Sequence, residues 1–255
     1  MRGIEIKILN EQNIKAAEKM MIFSARITQR AEKLKNMDDL IELYNKPYSE
    51  RLVRTINKLP HQTLKRFENI NIAVVGASRR FANQIVRHQA GVQFISGSLQ
   101  YSNYSDEAEF VIPYEILEAG EEAEAKYLHS CELAMESYKE LNSQLGVDSD
   151  ACGYATPYGL RNVLVISANV TAWQHMISQR TCKRNSLETR YIFLKIWAQL
   201  YELAPEMFSP ACSGAPCQKS RCGEGRLTCG KPVNKVYKPV DILEEDFPLI
   251  YKKAA

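Results

Sequence analysis

A chain of 255 residues is long enough for one substantial domain with a small appendage. Apolar residues at 45% and charged residues at 25% exclude a disordered or fibrous protein. With 33 basic against 30 acidic residues the net charge is only +3, so nucleic acid is not expected as a partner, although a local basic pocket for a small phosphorylated molecule is allowed.

No apolar run is long enough to span a bilayer and none at the start has the form of a signal peptide, so the expectation is a cytoplasmic protein with no membrane partner. In that reducing setting the seven cysteines are expected as thiols or metal ligands.

In chain order, Ile4 to Leu9 alternates apolar and charged residues, the period of a half-buried strand. Asn13 to Lys33 carries Ala16, Met20, Ile22, Phe23 and Ile27 at amphipathic helical spacing, and Tyr48 to Leu59 repeats the pattern with Leu52, Val53 and Ile56. Ile70 to Val75 is a β-branched run ending at Gly76, a strand followed by a turn. Phe81 to His88 reads as a helix that delivers Arg87 and His88 to its C-terminal end.

Glu115 to Leu145 is the longest helical pattern and reads as a core-facing helix rather than a partner-binding one. Asn162 to Ser167 reads as a buried strand, and Ala172 to Gln179 and Leu187 to Leu203 as helices. Residues 209 to 232 lose the periodicity and bring Ser, Pro, Gly, Lys and four cysteines. The boundary is therefore set at 208, with a body over 1–208 and a Cys-rich segment over 209–255 whose last apolar residues, Val240 to Tyr251, pack back on the body.

No Gly-rich dinucleotide loop, P-loop, nucleophile elbow or His-Glu-x-x-His pair is present, so a bound nucleotide or flavin must be held by side chains and irregular backbone. With only four histidines, a histidine-rich catalytic metal site is not expected. The informative segment is Gln84-x-x-Arg87-His88-Gln89, followed by AGVQFISGSLQY. An arginine and a histidine at a helix end, entering a Ser/Gly/Gln-rich loop, suit an anionic planar ligand. The arginine supplies a donor fork that also stacks on rings, and the glycines let backbone approach closely. A surface Arg-His pair before an ordinary polar loop is the competing reading of this segment alone.

Several further motifs stand in register with it. His61-Gln-Thr63 precedes Gly76-Ala-Ser78-Arg79, and Pro157, Asn169 and Arg180 follow at steps of twelve and eleven residues, with Trp173 and Glu188-x-Arg190 alongside. Over roughly residues 1 to 210 this set resembles the flavin-dependent thymidylate synthases. The resemblance implies an α/β fold with a central twisted sheet flanked by helices, here with a Cys-rich C-terminal appendage, and a homotetramer that holds FAD between subunits.

It also implies that His61, Thr63, Arg87, His88, Gln89, Asn169, His175 and Arg184 line the flavin site, and that Gln84, Arg87, Ser98, Gln100 and Arg180 line the nucleotide site. The implied enzyme is a methyltransferase that moves a one-carbon unit from methylenetetrahydrofolate to C5 of dUMP, with FAD as cofactor and NADPH as its reductant. Arg180 is expected to stabilise negative charge on the ring. Ser98 stands beside it as a catalytic candidate, with phosphate or pyrimidine binding preferred because the sequence names no base to activate it. No cysteine falls at a position the family uses for chemistry, and the resemblance requires no metal.

Four departures stand out. Gln89 replaces the second arginine of Arg-His-Arg. The serine comes one residue late, at Ser98 after Gly97. Gln100 replaces the arginine before Tyr101, and Cys152-Gly153 stands where an Ala-Arg pair precedes the proline. Losing charge-assisted phosphate contacts costs on the order of 1.5–3 kcal/mol each. The sequence therefore calls either for compensating cations (Arg79, Arg80, Arg161, Lys183 and Arg184 are candidates) or for another pyrimidine nucleotide or a 5-hydroxymethyl product. A nucleotide-binding relative without turnover is the reading from another class.

Cys212, Cys217, Cys222 and Cys229 put four thiols in eighteen residues. They suit a structural zinc site or an iron–sulfur cluster, although the spacing is not that of a zinc ribbon. A reduced metal-free loop or opportunistic disulfides are the alternatives.

Overall fold

The computed structural model describes residues 1–219, 222–231 and 235–252, so residues 220–221, 232–234 and 253–255 of the expected C-terminal segment lie outside the described residues. Four strands form one antiparallel sheet in the order β1-β2-β4-β3: β1 Glu5–Ile8, β2 Asn69–Ser78, β3 Val92–Ser96 and β4 Arg161–Asn169. The register pairs Ile70 with Ala168, Ile72 with Ile166 and Val74 with Leu164. These six residues are at most 1% exposed, so one face of the central strand pair is closed by a β-branched core.

The expected turn at Gly76 is instead a bulge, and β2 runs on to Ser78. Gly76 has φ +78, and a Cβ there would stand 2.9 Å from the Gly3 carbonyl oxygen, so glycine is needed for the bulge rather than for a chain reversal. Strand β3 was unexpected because VQFIS sits inside a polar, glycine-bounded loop whose period is too short to read.

Both central strands pass directly into helices. The Ser78 hydroxyl accepts from Phe81 N at 3.0 Å to cap α4 (Arg79–Ile85), and Asn169 Oδ1 accepts from Ala172 N at 3.0 Å to cap α8 (Val170–Arg180). Because β2 and β4 are antiparallel, these helices leave opposite ends of the sheet and their C-termini meet over it. Helix α9 (Leu187–Leu203) runs through the core with Ile192, Phe193, Leu194, Ile196, Trp197 and Leu200 fully buried.

Helix α1 (Gln12–Arg30) packs on α3 (Glu50–Asn57) through a second cluster of Met21, Ile22, Ala25, Val53 and Ile56. Helix α2 (Met37–Asn45) lies between them in sequence and is capped by Asn36. The long helix expected over 115–145 is broken at Gly120, with φ +96, into α5 (Tyr114–Ala119) and α6 (Glu121–Lys139). Glycine there ends one helix and starts the next. Helix α6 buries Cys131 and Tyr138 and keeps its charged side in water.

The Cys-rich segment folds onto the body. Short helices α7 (Ser149–Cys152), α10 (Pro210–Ser213) and α11 (Pro216–Lys219) are single turns, whereas α12 (Pro239–Asp246) packs on α9. Phe247 sits between Tyr114 and Tyr191, each ring centre 5.2 Å away, and Asp246 forms ion pairs with Arg190 and with Lys183.

Candidate active site

The convergence of the α4 and α8 C-termini makes the site. Arg180, in the last turn of α8, donates from Nε to His88 Nε2 at 2.8 Å, from Nη1 to Asn185 Oδ1 at 3.2 Å and from Nη2 to the Gln84 carbonyl at 3.2 Å. A cation where two helix C-termini meet answers the partial negative charge of their unpaired carbonyls. Burial lowers the Arg180 pKa from its ordinary value. The His88 ring lies edge-on to His175, with centres 6.0 Å apart. Burial, then the nearby Arg180 and His175, pushes His88 down to about 4, so at neutral pH it is an uncharged acceptor.

Around this junction lies a cleft of about 770 Å³ whose walls include Arg80, Arg87, Arg180, Arg184, Gln84 and Tyr158. The Gln84 side chain is oriented through its amide Oε1, which accepts from Ser186 Oγ at 2.9 Å and Thr189 Oγ1 at 2.5 Å. Four arginines on one cleft make a site for an anion.

A second cavity of about 540 Å³ lies at the start of α8, lined by Gln62, Arg66, Gly91, Asn169, His175 and Lys219 among others. Gly91 has φ +72, and a Cβ there would stand 2.5 Å from Asn169 Nδ2, so the backbone is held close to the capping amide in a way no other residue allows. Beneath it Gln174 bridges Lys65 Nζ, at 3.0 Å, to Asn57 Oδ1 and the Met207 carbonyl. A smaller space of about 210 Å³ lined by Arg87, His88, Gln89 and His175 lies between the two, sharing Arg87 with the cleft and His175 with the cavity at the start of α8.

The family model described as thymidylate synthase complementing protein matches residues 9–206. This chain belongs to that family. The flavin-dependent thymidylate synthase of Geobacter sulfurreducens is 23% identical over 209 residues, covering 81% of this chain and 88% of that protein. Its counterpart from Thermococcus onnurineus is 27% identical over 192 residues, covering 71% and 76%. Among solved structures, the UMP/dUMP methylase PolB from Streptomyces cacaoi, bound with 5-Br dUMP, aligns with TM-score 0.65 at 14% identity over 84% of this chain and 98% of that one. Thymidylate Synthase X from Helicobacter pylori, with FAD and dUMP, aligns with TM-score 0.59 at 15% identity over 81% and 99%. The fold is therefore that of the family, and the chain is one of its enzymes.

Within the family frame, the structure brings Gln84, Arg87, His88, Gln89, Asn169, His175, Arg180 and Arg184 onto these three neighbouring cavities. His61 and Thr63 sit on the exposed turn at the rim, where their neighbours Gln62 and Arg66 do the lining. Ser98 and Gln100 are not brought in. They follow β3 on a loop where the Ser98 hydroxyl accepts from Gln100 N at 3.2 Å, and neither lines the three cavities.

Of the five candidate compensating cations, only Arg80 and Arg184 line the cleft. Arg79 donates to the Gly97 carbonyl at 2.8 Å, Arg161 pairs with Glu109 at 2.9 Å, and Lys183 pairs with Asp246 at 2.8 Å. Glu188 acts below the surface, accepting from Ser78 N at 2.7 Å and Ser78 Oγ at 2.6 Å, with its pKa raised by burial.

Two departures turn out to touch each other. Gly153 is buried against Leu99, and a Cβ at 153 would stand 3.3 Å from Leu99 Cβ. The lengthened loop thus occupies the space next to the position where the family's arginine is expected.

Sequence reading missed Arg66, Tyr158 and Lys219, and it placed Cys212 with the other thiols rather than at the cavity at the start of α8. Lys219 donates to Ser178 Oγ at 3.2 Å and to the Cys212 carbonyl at 2.8 Å, which places the C-terminal segment at the same cavity. No local periodicity signals a contact across 41 residues. Tyr158 could have been found, since it follows the motif proline directly.

Proposed function

We propose that this enzyme methylates C5 of a pyrimidine nucleotide, dUMP to dTMP, using FAD, NADPH and methylenetetrahydrofolate in the cytoplasm. The observation that carries the reading is an arginine-lined cleft and the cavity at the start of α8 flanking one small space lined by His88 and His175. A nucleotide in the first and a flavin in the second would meet there.

The cavity at the start of α8 suits FAD by its donor set. Arg66 and Lys219 offer cations for phosphates, Asn169 offers an amide, and Gly91 leaves the room a side chain would fill. Bound there, FAD would supply the electrons that complete the methyl group. The protein's own part is positioning and charge. Arg80, Arg87 and Arg184 would hold the nucleotide's anionic end. Three of the five N–H groups of Arg180 are engaged with protein acceptors, which leaves two for a pyrimidine oxygen on which negative charge develops. The hydroxyls of Ser186 and Thr189 set which end of the Gln84 amide accepts, so its amide nitrogen is the end offered to the ring.

Ser98 and Gln100 would serve the nucleotide site of another subunit in a homotetramer, since they stand away from the cleft of their own chain. The Gly153–Leu99 packing favours a second reading, in which the phosphate end is handled differently and the substrate is UMP or dCMP, or the product is 5-hydroxymethylated.

The test is the visible spectrum of the purified protein with and without nucleotide and NADPH, followed by turnover of dUMP, UMP and dCMP with methylenetetrahydrofolate. A yellow protein bleached by NADPH and active on dUMP is expected. A protein that takes up no FAD would sink the reading, and activity on UMP or dCMP alone would move it to the second one.

A further inference from the structure

Behind the arginine cleft, on the other side of residues 181–186, lies a small cavity of about 40 Å³ lined by Cys182, Cys217, Cys222 and Cys229, with Arg184 shared between the two spaces. The four thiols come from three places. Cys182 follows α8, Cys217 is on α11, and Cys222 and Cys229 belong to the stretch 222–231. Cys212, which sequence spacing grouped with the last three, is not among them. Its Sγ accepts from Asn57 Nδ2 at 3.1 Å, and it lines the cavity at the start of α8 instead.

What holds the stretch 222–231 in place needs explaining. Residues 223–230 are all exposed, so no apolar burial anchors them, and among them only the short turn Gly225–Leu227 is regular. Its thiols nevertheless reach a cavity shared with Cys182 and Cys217. A segment without a core of its own is ordinarily held by a covalent or metal staple.

A thiophilic cation bound by the four sulfurs would displace their protons into solvent. Lys183, Arg190 and Lys231 also line the space beside Glu224, with Asp246 and Glu245 as their ion-pair partners. Among the described residues no three Cys, His, Asp or Glu side chains already surround a single point as an ion requires. Loading would therefore draw Cys222 and Cys229 inward, a movement their exposed backbone allows without breaking a packed core.

We infer that Cys182, Cys217, Cys222 and Cys229 form a tetrathiolate site for a thiophilic metal, a zinc ion or an iron–sulfur cluster, that staples the C-terminal segment to the turn bearing Arg184. With all four positions filled by protein the site is structural. Zinc loading releases one proton for each thiol protonated beforehand and changes no oxidation state.

The experiment is metal and sulfide analysis of the full chain, purified anaerobically without chelator. About one zinc per chain, or iron with matching acid-labile sulfide, is expected and separates the two sources. Cys182→Ser and Cys229→Ser should each lower the content to less than about a tenth, whereas Cys212→Ser should retain it. Cys229 is exposed, so Cys229→Ser keeps the test decisive if Cys182→Ser fails to fold. Metal that survives Cys182→Ser in a folded chain overturns the inference. So does a wild-type chain that contains no metal and takes up neither zinc nor cobalt when offered them anaerobically.

Discussion

Arg180 Nε donates to His88 Nε2 at 2.8 Å, so the imidazole must be neutral with its proton on Nδ1. This one contact ties the end of α8 to the end of α4 and sets the charge state of the junction. Burial and the Arg180 cation hold the folded His88 at about 4, against 6.5 for a free histidine. Above 6.5 neither folded nor unfolded His88 carries a proton, and the group leaves stability unchanged. As the pH falls from 6.5 through 4 the unfolded chain binds a proton that the folded chain refuses, and stability is lost. The difference corresponds to about 3 kcal/mol, trimmed by screening at a half-buried ring to about 2 kcal/mol. Denaturant midpoints between pH 7 and pH 4 should therefore fall less steeply for His88→Gln, whose amide oxygen can still accept from Arg180. Parallel pH profiles for the two proteins would refute the assignment.

Gly153→Arg replaces the residue with the arginine expected at this position. It should not restore a phosphate contact, because the space beyond the glycine is taken by Leu99. Overpacking there should cost about 1–3 kcal/mol and leave nucleotide affinity no better. Adding Leu99→Ala should recover at least half of the lost stability. Thermal melts and dUMP titrations on the single and double variants check this, and tighter dUMP binding by Gly153→Arg alone would show the packing argument to be wrong.

Gly91→Ala tests the cavity at the start of α8. The alanine must adopt φ +72 and push its Cβ into Asn169 Nδ2, so Asn169 either swings away and gives up the α8 cap or the loop shifts. The expected loss is about 1–3 kcal/mol, compared with about 1 kcal/mol for Asn169→Ala, which removes the cap alone. Flavin content should drop in both, measured by absorbance of the purified proteins. Full flavin retention in Gly91→Ala would place the cofactor elsewhere.

Much of the site was legible from residue order because its parts lie at strand–helix junctions, where local chemistry is strong. Ser78 and Asn169 are capping residues, Arg180 ends the helix that Asn169 caps, and helix Leu187–Leu203 was bounded correctly by its periodicity, whereas the helix expected over Phe81 to His88 stops at Ile85 and Arg87 and His88 follow it. The family and its fold followed from those spacings. Strand β3, the bulge at Gly76 and the break at Gly120 were not legible, since each depends on a partner strand or a backbone conformation that leaves no apolar period.

What only the tertiary structure decided are the long-range juxtapositions. It separated Arg80 and Arg184, which line the cleft, from Arg79, Arg161 and Lys183, which are held by other partners. It set Leu99 against Gly153, and it exchanged Cys212 for Cys182 in the thiol cluster. Sequence determines which residues are available and which local element carries them. Which of them meet depends on how α4, α8 and the C-terminal segment pack over one sheet, and chain spacing does not encode that geometry.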